Sequence, residues 1–194
     1  MSIIIGLTGP TGSGKSSVSK TAEALGFKVI DCDTVARKAT EKGSDGLKAL
    51  TAAFGEDILF NDGTLNRRLL ANKAFSSKEK TQLLNDTIFP FIIKLIKAEI
   101  KDGDYILDAP TLFESGLDSI CDRTVGILAD SEIRLKRIIE RDKLTINDAK
   151  VRMNAGKSDE FYLKNADFII YNNADEQVFK REFSVLLKNI QEEK

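Results

Sequence analysis

A chain of 194 residues that is 42% hydrophobic and 30% charged has enough apolar material to build a folded core and too much to remain a disordered polymer. Its formal net charge of −1 excludes a global field that would gather nucleic acid or anionic lipid, so any anion site must be local. The chain contains no histidine, so the commonest general base and the commonest transition-metal ligand are both missing and proton chemistry falls to Asp, Glu, Lys, Tyr or Cys.

Taken in chain order, SIIIGLT (residues 2–8) is β-branched and continuous, the pattern of a strand buried on both faces. Val18, Ala22 and Leu25 then recur at helical spacing, with Gly26 where the helix would end. FKVID (27–31), YILDAP (105–110), RTVGILA (123–129) and DFIIYN (167–172) predict four more short strands. Helical patterns separate them, among them 133–142 and a final helix over 176–191 with an apolar stripe of Phe179, Phe183, Leu186, Leu187 and Ile190. Alternating strands and helices predict an α/β fold, a parallel sheet with helices on both faces and right-handed crossovers. Residues 34–103 are far longer than a crossover needs and carry one clear turn signal, Asn61-Asp62-Gly63, so a helical insertion is expected there. Cys32 and Cys121 lie too far apart to suggest a zinc site or a disulfide framework. No apolar run reaches the ~20 residues of a membrane span and no basic-then-apolar leader opens the chain, so a cytoplasmic protein without a membrane partner is expected.

The first strand runs into Gly9-x-x-x-x-Gly14-Lys15-Ser16, the GxxxxGK[ST] pattern in the strand–turn–helix context its chemistry demands. Glycines let successive backbone amides curl round a phosphate, and the following helix start adds positive potential. Lys15 would reach the β and γ phosphates of a nucleoside triphosphate, and the Ser16 hydroxyl would ligate Mg²⁺. On the acceptor side, Asp31 and Asp33 close the second strand, where parallel sheets bind ligands. A carboxylate there could orient and deprotonate a hydroxyl; the alternative is a helix cap, with Asp33 preceding TVARKAT. Asp108 ends the third strand and could hold Mg²⁺ through water, or serve as an ordinary strand-end carboxylate before Pro110. Arg134, Arg137 and Arg141 recur on one helix face, either a solvated, salt-bridged surface or a lid that closes over a triphosphate. If Arg134 lies on the solvated side, its replacement by Lys is expected to be nearly silent.

Six segments in order give the chain a resemblance to the dephospho-CoA kinase family over nearly its whole length: LTGPTGSGKSS, VIDCDTVAR, DGTLNRRLLANKAF with Arg67, PTLFESGL with Glu114, RLKRIIERDKLTINDAKVRM, and ADFIIYNN with Asn172. The sequence departs from that family at Phe89-Pro90, where His-Pro is usual, and at Gly156, where Gln is frequent. The resemblance implies a P-loop NTPase three-layer fold with a five-stranded parallel sheet. A nucleotide-binding core is expected over 1–33 and 104–194, a lid over about 134–156, and a CoA-side insertion over 34–103. It implies transfer of the γ-phosphate of ATP to the 3′-hydroxyl of dephospho-CoA, with Mg²⁺, in a monomer or weak homo-oligomer. ATP would be bound by Gly9, Thr11, Gly12, Ser13, Gly14, Lys15, Ser16, Ser17, Arg137, Arg141 and Asn172. Asp33 would take the hydroxyl proton, Arg141 and Lys15 would neutralise the transferring group, and Arg67 and Glu114 would hold the acceptor. The remaining alternative is another small-molecule kinase of this architecture, of the nucleoside monophosphate or shikimate type.

Overall fold

In the computed structural model, which describes residues 2–193, five short apolar segments form one parallel sheet in the order β2-β3-β1-β4-β5. They are β1 (Ile4–Thr8), β2 (Lys28–Asp31), β3 (Tyr105–Asp108), β4 (Arg123–Leu128) and β5 (Phe168–Tyr171). β1 lies at the centre, with Leu7 opposite Asp108 on one side and opposite Val125 on the other. That register brings the C-terminal ends of β1 and β3 side by side, so the turn after Thr8 and the carboxylate of Asp108 share one edge of the sheet.

The α-helices among the described residues are, in chain order, α1 (Ser19–Ala24), α2 (Cys32–Ala39), α3 (Asp45–Phe54), α4 (Arg67–Ala74), α5 (Lys78–Glu99), α6 (Ser131–Asp142), α7 (Ile146–Asn154), α8 (Asp159–Asn165) and α9 (Glu176–Glu192). Ile3, Ile5 and Leu7 point to one face of the sheet, where Val18 at the cap of α1, Ala22 of α1 and Phe179, Phe183, Leu187 and Ile190 of α9 bury them. The alternate residue, Gly6, faces the opposite side, where a Cβ would stand 2.7 Å from Leu112 and 2.9 Å from the Cys121 sulfur. On that face Gly126 leaves room for Ile169 and for Tyr162 of α8. Each buried core side chain of this kind contributes roughly 1.5–3 kcal/mol of transfer free energy, which is what holds a sheet of four- to six-residue strands together.

The chain divides into two compact units: residues up to Ile30 together with those from Asp102 onward, and Asp31–Lys101. The second unit is helical. Its long helix α5 packs on α2, α3 and α4 through Ile88, Ile92 and Ile96. Gly46 lets α3 lie directly on the Ala39 carbonyl. The turn over Asn61-Asp62-Gly63 is present: Leu59 and Leu65 form an antiparallel bridge, and the Asp62 carboxylate accepts from the Thr64 amide at 2.9 Å. Phe89 is half-buried and Pro90 stands inside α5.

Two local expectations are corrected. The segment after the glycine turn begins as a single 3₁₀ turn over Lys15–Ser17, and α1 starts only at Ser19. The second concerns the cap offered for Asp33, since β2 ends at Asp31 within the predicted 27–31 segment. α2 begins at Cys32, so its cap is Asp31, and Asp33 lies in its first turn.

Candidate active site

The turn between β1 and α1 is shaped by three glycines with positive φ: Gly9 (147°), Gly12 (83°) and Gly14 (95°). Each also meets another part of the chain so closely that a side chain would not fit. A Cβ on Gly9 would run into the Ile127 carbonyl, one on Gly12 would stand 2.9 Å from the Arg134 carbonyl oxygen, and one on Gly14 would run into the Asn172 amide. Glycine is required here by conformation and by space together.

The loop's carbonyl groups are held from outside. Asn172 is buried and donates its side-chain amide to the Ser13 carbonyl at 2.8 Å. Arg137 shares one end of its fork between the carbonyls of Gly12 and Ser13, both at 3.4 Å, and places the other on the Asn172 backbone and side-chain oxygens at 3.1 and 3.2 Å. Arg134 donates from Nε to the Thr11 carbonyl at 3.2 Å. In a trans peptide unit the C=O of one residue and the N–H of the next point in opposite directions. Anchoring the carbonyls of Thr11 and Ser13 therefore aims the amides of Gly12 and Gly14 the other way. Neither amide has a protein acceptor among the described residues, which is the arrangement that receives an anion. The Ser13 and Ser17 amides, by contrast, close turns on the carbonyls of Pro10 and Gly14 at 3.1 and 3.0 Å. Ser13 Oγ is buried without a hydrogen-bond partner.

Lys15 reaches back over the loop to the Gly9 carbonyl at 3.1 Å, and Ser16 is exposed beside it. Among the described residues no group of three or more Asp, Glu or Cys side chains could hold a metal ion. The donor set present, one hydroxyl with Asp108 on the neighbouring strand end, fits Mg²⁺ that arrives on a triphosphate and keeps its waters rather than one caged by protein.

Only one of the three stripe arginines is solvated. Arg134 is 6% exposed and its Nη1 meets Asp159 of α8 at 2.7 Å, so the condition under which its replacement by Lys would be nearly silent is not met. The reason is that α6 starts shortly after β4, which sets the Arg134 face of its first turn against the glycine turn. Arg141, at the other end of α6, is exposed and forks onto its neighbour Asp142 at 2.8 and 2.9 Å. Arg152 of α7 reaches the same carboxylate at 2.9 Å. The Arg141 hydrogen bond holds Asp142 below the ordinary carboxylate range. Between the two helices Lys143 takes the left-handed conformation, φ 55°, as the cap of α6.

Glu114 follows β3 and has one carboxylate oxygen buried without a hydrogen-bond partner. Burial, followed by the charge of Glu114, raises the Tyr162 hydroxyl to about 12. Cys121 is inert as a nucleophile, because burial and then the nearby carboxylates of Asp118, Asp122 and Asp167 push its thiol up to about 12.

In the helical unit the carboxylates of Asp31, at the end of β2, and Asp33, in the first turn of α2, are used differently. Asp31 caps α2, accepting from the amides of Asp33 and Thr34 at 2.9 and 3.2 Å and from the Thr34 hydroxyl at 2.8 Å. The Asp33 side chain is exposed and takes no part in the cap. Arg67 opens α4 and donates to the Thr40 hydroxyl at 2.8 Å. The long-range partners of Arg134, Asp159 and Asn172 were not readable from spacing. Only the helical periodicity of the arginines hinted that one face of α6 had a task.

A family model described as Dephospho-CoA kinase matches residues 3–177. A dephospho-CoA kinase from Fusobacterium nucleatum is 42% identical over 183 residues, covering 92% of this chain and 94% of that one. Among solved structures, TT1252 from Thermus thermophilus superposes with a TM-score of 0.80 at 29% identity, covering 97% of each chain. Dephospho-CoA kinase from Campylobacter jejuni superposes with a TM-score of 0.67 at 28% identity, covering 98% of each. With a glycine turn built for phosphate, a five-stranded parallel sheet behind it and a family match over nearly its full length, this chain belongs to the dephospho-CoA kinase family.

Proposed function

We propose that the protein transfers the γ-phosphoryl group of ATP to the 3′-hydroxyl of dephospho-CoA, giving coenzyme A and ADP. The observation that carries this reading is the pair of aimed, acceptor-less amides of Gly12 and Gly14 in a chain of this family. The loop from Gly9 to Ser17 binds the β and γ phosphates, and Lys15 leaves the Gly9 carbonyl to meet them. Ser16 would ligate Mg²⁺, with Asp108 acting through water, and the ion would neutralise phosphate charge. A bond forms between the acceptor oxygen and the γ-phosphorus as the bond to the ADP oxygen breaks, and the hydroxyl proton goes to Asp33. Arg141 turns its fork from the Asp142 carboxylate to the oxygens of the transferring group.

Arg137 and Asn172 act on ATP through the loop they brace, and Arg67 and Glu114 hold the acceptor. The lid in this reading is the stretch from Lys143 to Ser158, shorter than the 134–156 expected from sequence. α7 within it buries only Ala149 and leaves Ile146 and Val151 58% and 69% exposed, so little apolar burial opposes its opening. No described helix is long and apolar enough to cross a membrane.

The test is incubation with ATP, Mg²⁺ and, in separate reactions, dephospho-CoA, shikimate and nucleoside monophosphates, with Lys15→Ala as the control. Coenzyme A formation by the wild type alone supports the proposal. Turnover of one of the other acceptors in preference to dephospho-CoA contradicts it.

A further inference from the structure

We infer that Arg134 is a positioning residue for ATP: it sets the direction of the Gly12 amide, and Asp159 holds it in place to do so. The inference rests on reading residues 9–17 as the phosphate loop. A guanidinium with only 6% exposure is costly unless its charge and its N–H groups are all answered. Here Asp159, from the first turn of α8, answers the charge at 2.7 Å. Its Nε–H is directed at the Thr11 carbonyl at 3.2 Å, in the middle of the loop.

The backbone of the same residue fixes the next position. A Cβ placed on Gly12 would lie 2.9 Å from the Arg134 carbonyl oxygen and 3.2 Å from its Cα and Cβ. One residue therefore holds the Thr11 carbonyl with its side chain and crowds Gly12 with its main chain. The peptide unit between Thr11 and Gly12 is left with one orientation, in which Gly12 N–H faces away from the protein donors. Arg137 and Asn172 do the equivalent for the Ser13–Gly14 unit. Arg134 need not touch the nucleotide to act. It prepays the ordering of an amide that would otherwise have to be fixed when the phosphate binds.

Replacing Arg134 by Leu removes both bonds, whereas Arg134→Gln keeps a neutral donor that can still reach the Thr11 carbonyl. We expect Mg²⁺-ATP, titrated calorimetrically without acceptor, to bind Arg134→Leu about 10-fold more weakly, the worth of one well-placed hydrogen bond. Arg134→Gln should recover affinity to within about 3-fold of wild type, and Asp159→Asn, whose side chain is 44% exposed and safe to change, should lose about 3- to 5-fold. Dephospho-CoA affinity should stay within about twofold throughout. ATP affinity unchanged in Arg134→Leu overturns the inference, as does a loss of ATP and dephospho-CoA affinity together in step with a falling Tm. If Arg134→Leu does not fold, Asp159→Asn and Arg134→Gln decide it: wild-type ATP affinity in Asp159→Asn is the overturning result. Because the readout is ATP binding alone, a wild type that binds ATP but ignores dephospho-CoA would sink the proposed function and leave this inference standing.

Discussion

The two ends of α6 carry the same residue type on the same face and do opposite things. At its start Arg134 is enclosed and ion-paired, and Arg137, one turn on, has its fork on loop carbonyls and Asn172. At its end Arg141 has 56% of its side chain exposed and holds only a neighbouring carboxylate. Burial separates them: a guanidinium fixed by several internal bonds shapes a site, and an exposed one resting on a single neighbouring Asp can be moved to a phosphate. The same division recurs between Asp31 and Asp33, two residues apart, where one carboxylate is tied into the α2 cap and its neighbour is left open.

The largest expected effect tests that second pair. Asp33→Asn should lower kcat by roughly 10²- to 10⁴-fold, as expected for losing a general base, with ATP affinity unchanged. Asp31→Asn keeps a capping side chain and should cost less than about 1 kcal/mol of stability with little effect on kcat. Steady-state kinetics and a thermal melt on the two variants would reverse the assignment if Asp31→Asn proved the more damaging to turnover. Next in size, Arg141→Lys should lower kcat by about 10- to 100-fold, less than the full worth of a transition-state arginine because charge is kept while the planar fork is lost. A fully active Arg141→Lys would make the exposed end of α6 an ordinary solvated surface.

The smallest effect concerns the resting partner of that arginine. Asp142 is held below the ordinary carboxylate range first by its hydrogen bond to Arg141 and then by the charges of Arg141 and Arg152. A depressed carboxylate favours the folded pairing above its unfolded value and loses that contribution as pH falls through the lowered one. The Arg141–Asp142 contact should therefore survive at neutral pH and dissolve only in acid, below the ordinary aspartate value of 3.8. Carboxyl NMR titration should show Asp142 moving upward in Arg141→Ala; no movement would mean that the fork seen here is not populated in solution.

The centre of the sheet was legible because β1 and β4 are buried on both faces and read as largely apolar runs, IIGLT and RTVGIL. The glycine turn was legible because its chemistry sits in consecutive residues. The side on which Arg134 lies was left open for the opposite reason. Its partners are Thr11 and Asp159, 123 and 25 residues away, and spacing along one helix cannot tell a face that meets a loop from a face that meets water. The choice between Asp31 and Asp33 turned on where a helix starts, a boundary decided by which side chain captures two free amides. That capture is a matter of local geometry, and both residues are chemically able to make it.

The division within α6 is tested most directly by hydrogen exchange along residues 131–158, with and without Mg²⁺-ATP and dephospho-CoA. The account predicts slow exchange over 134–140 in both states, since those residues are anchored to the loop and β5, and exchange over 143–158 that slows only when both ligands are present. Protection that changes equally across the whole stretch, or nowhere in it, would contradict the separation of a fixed phosphate end from a moving lid.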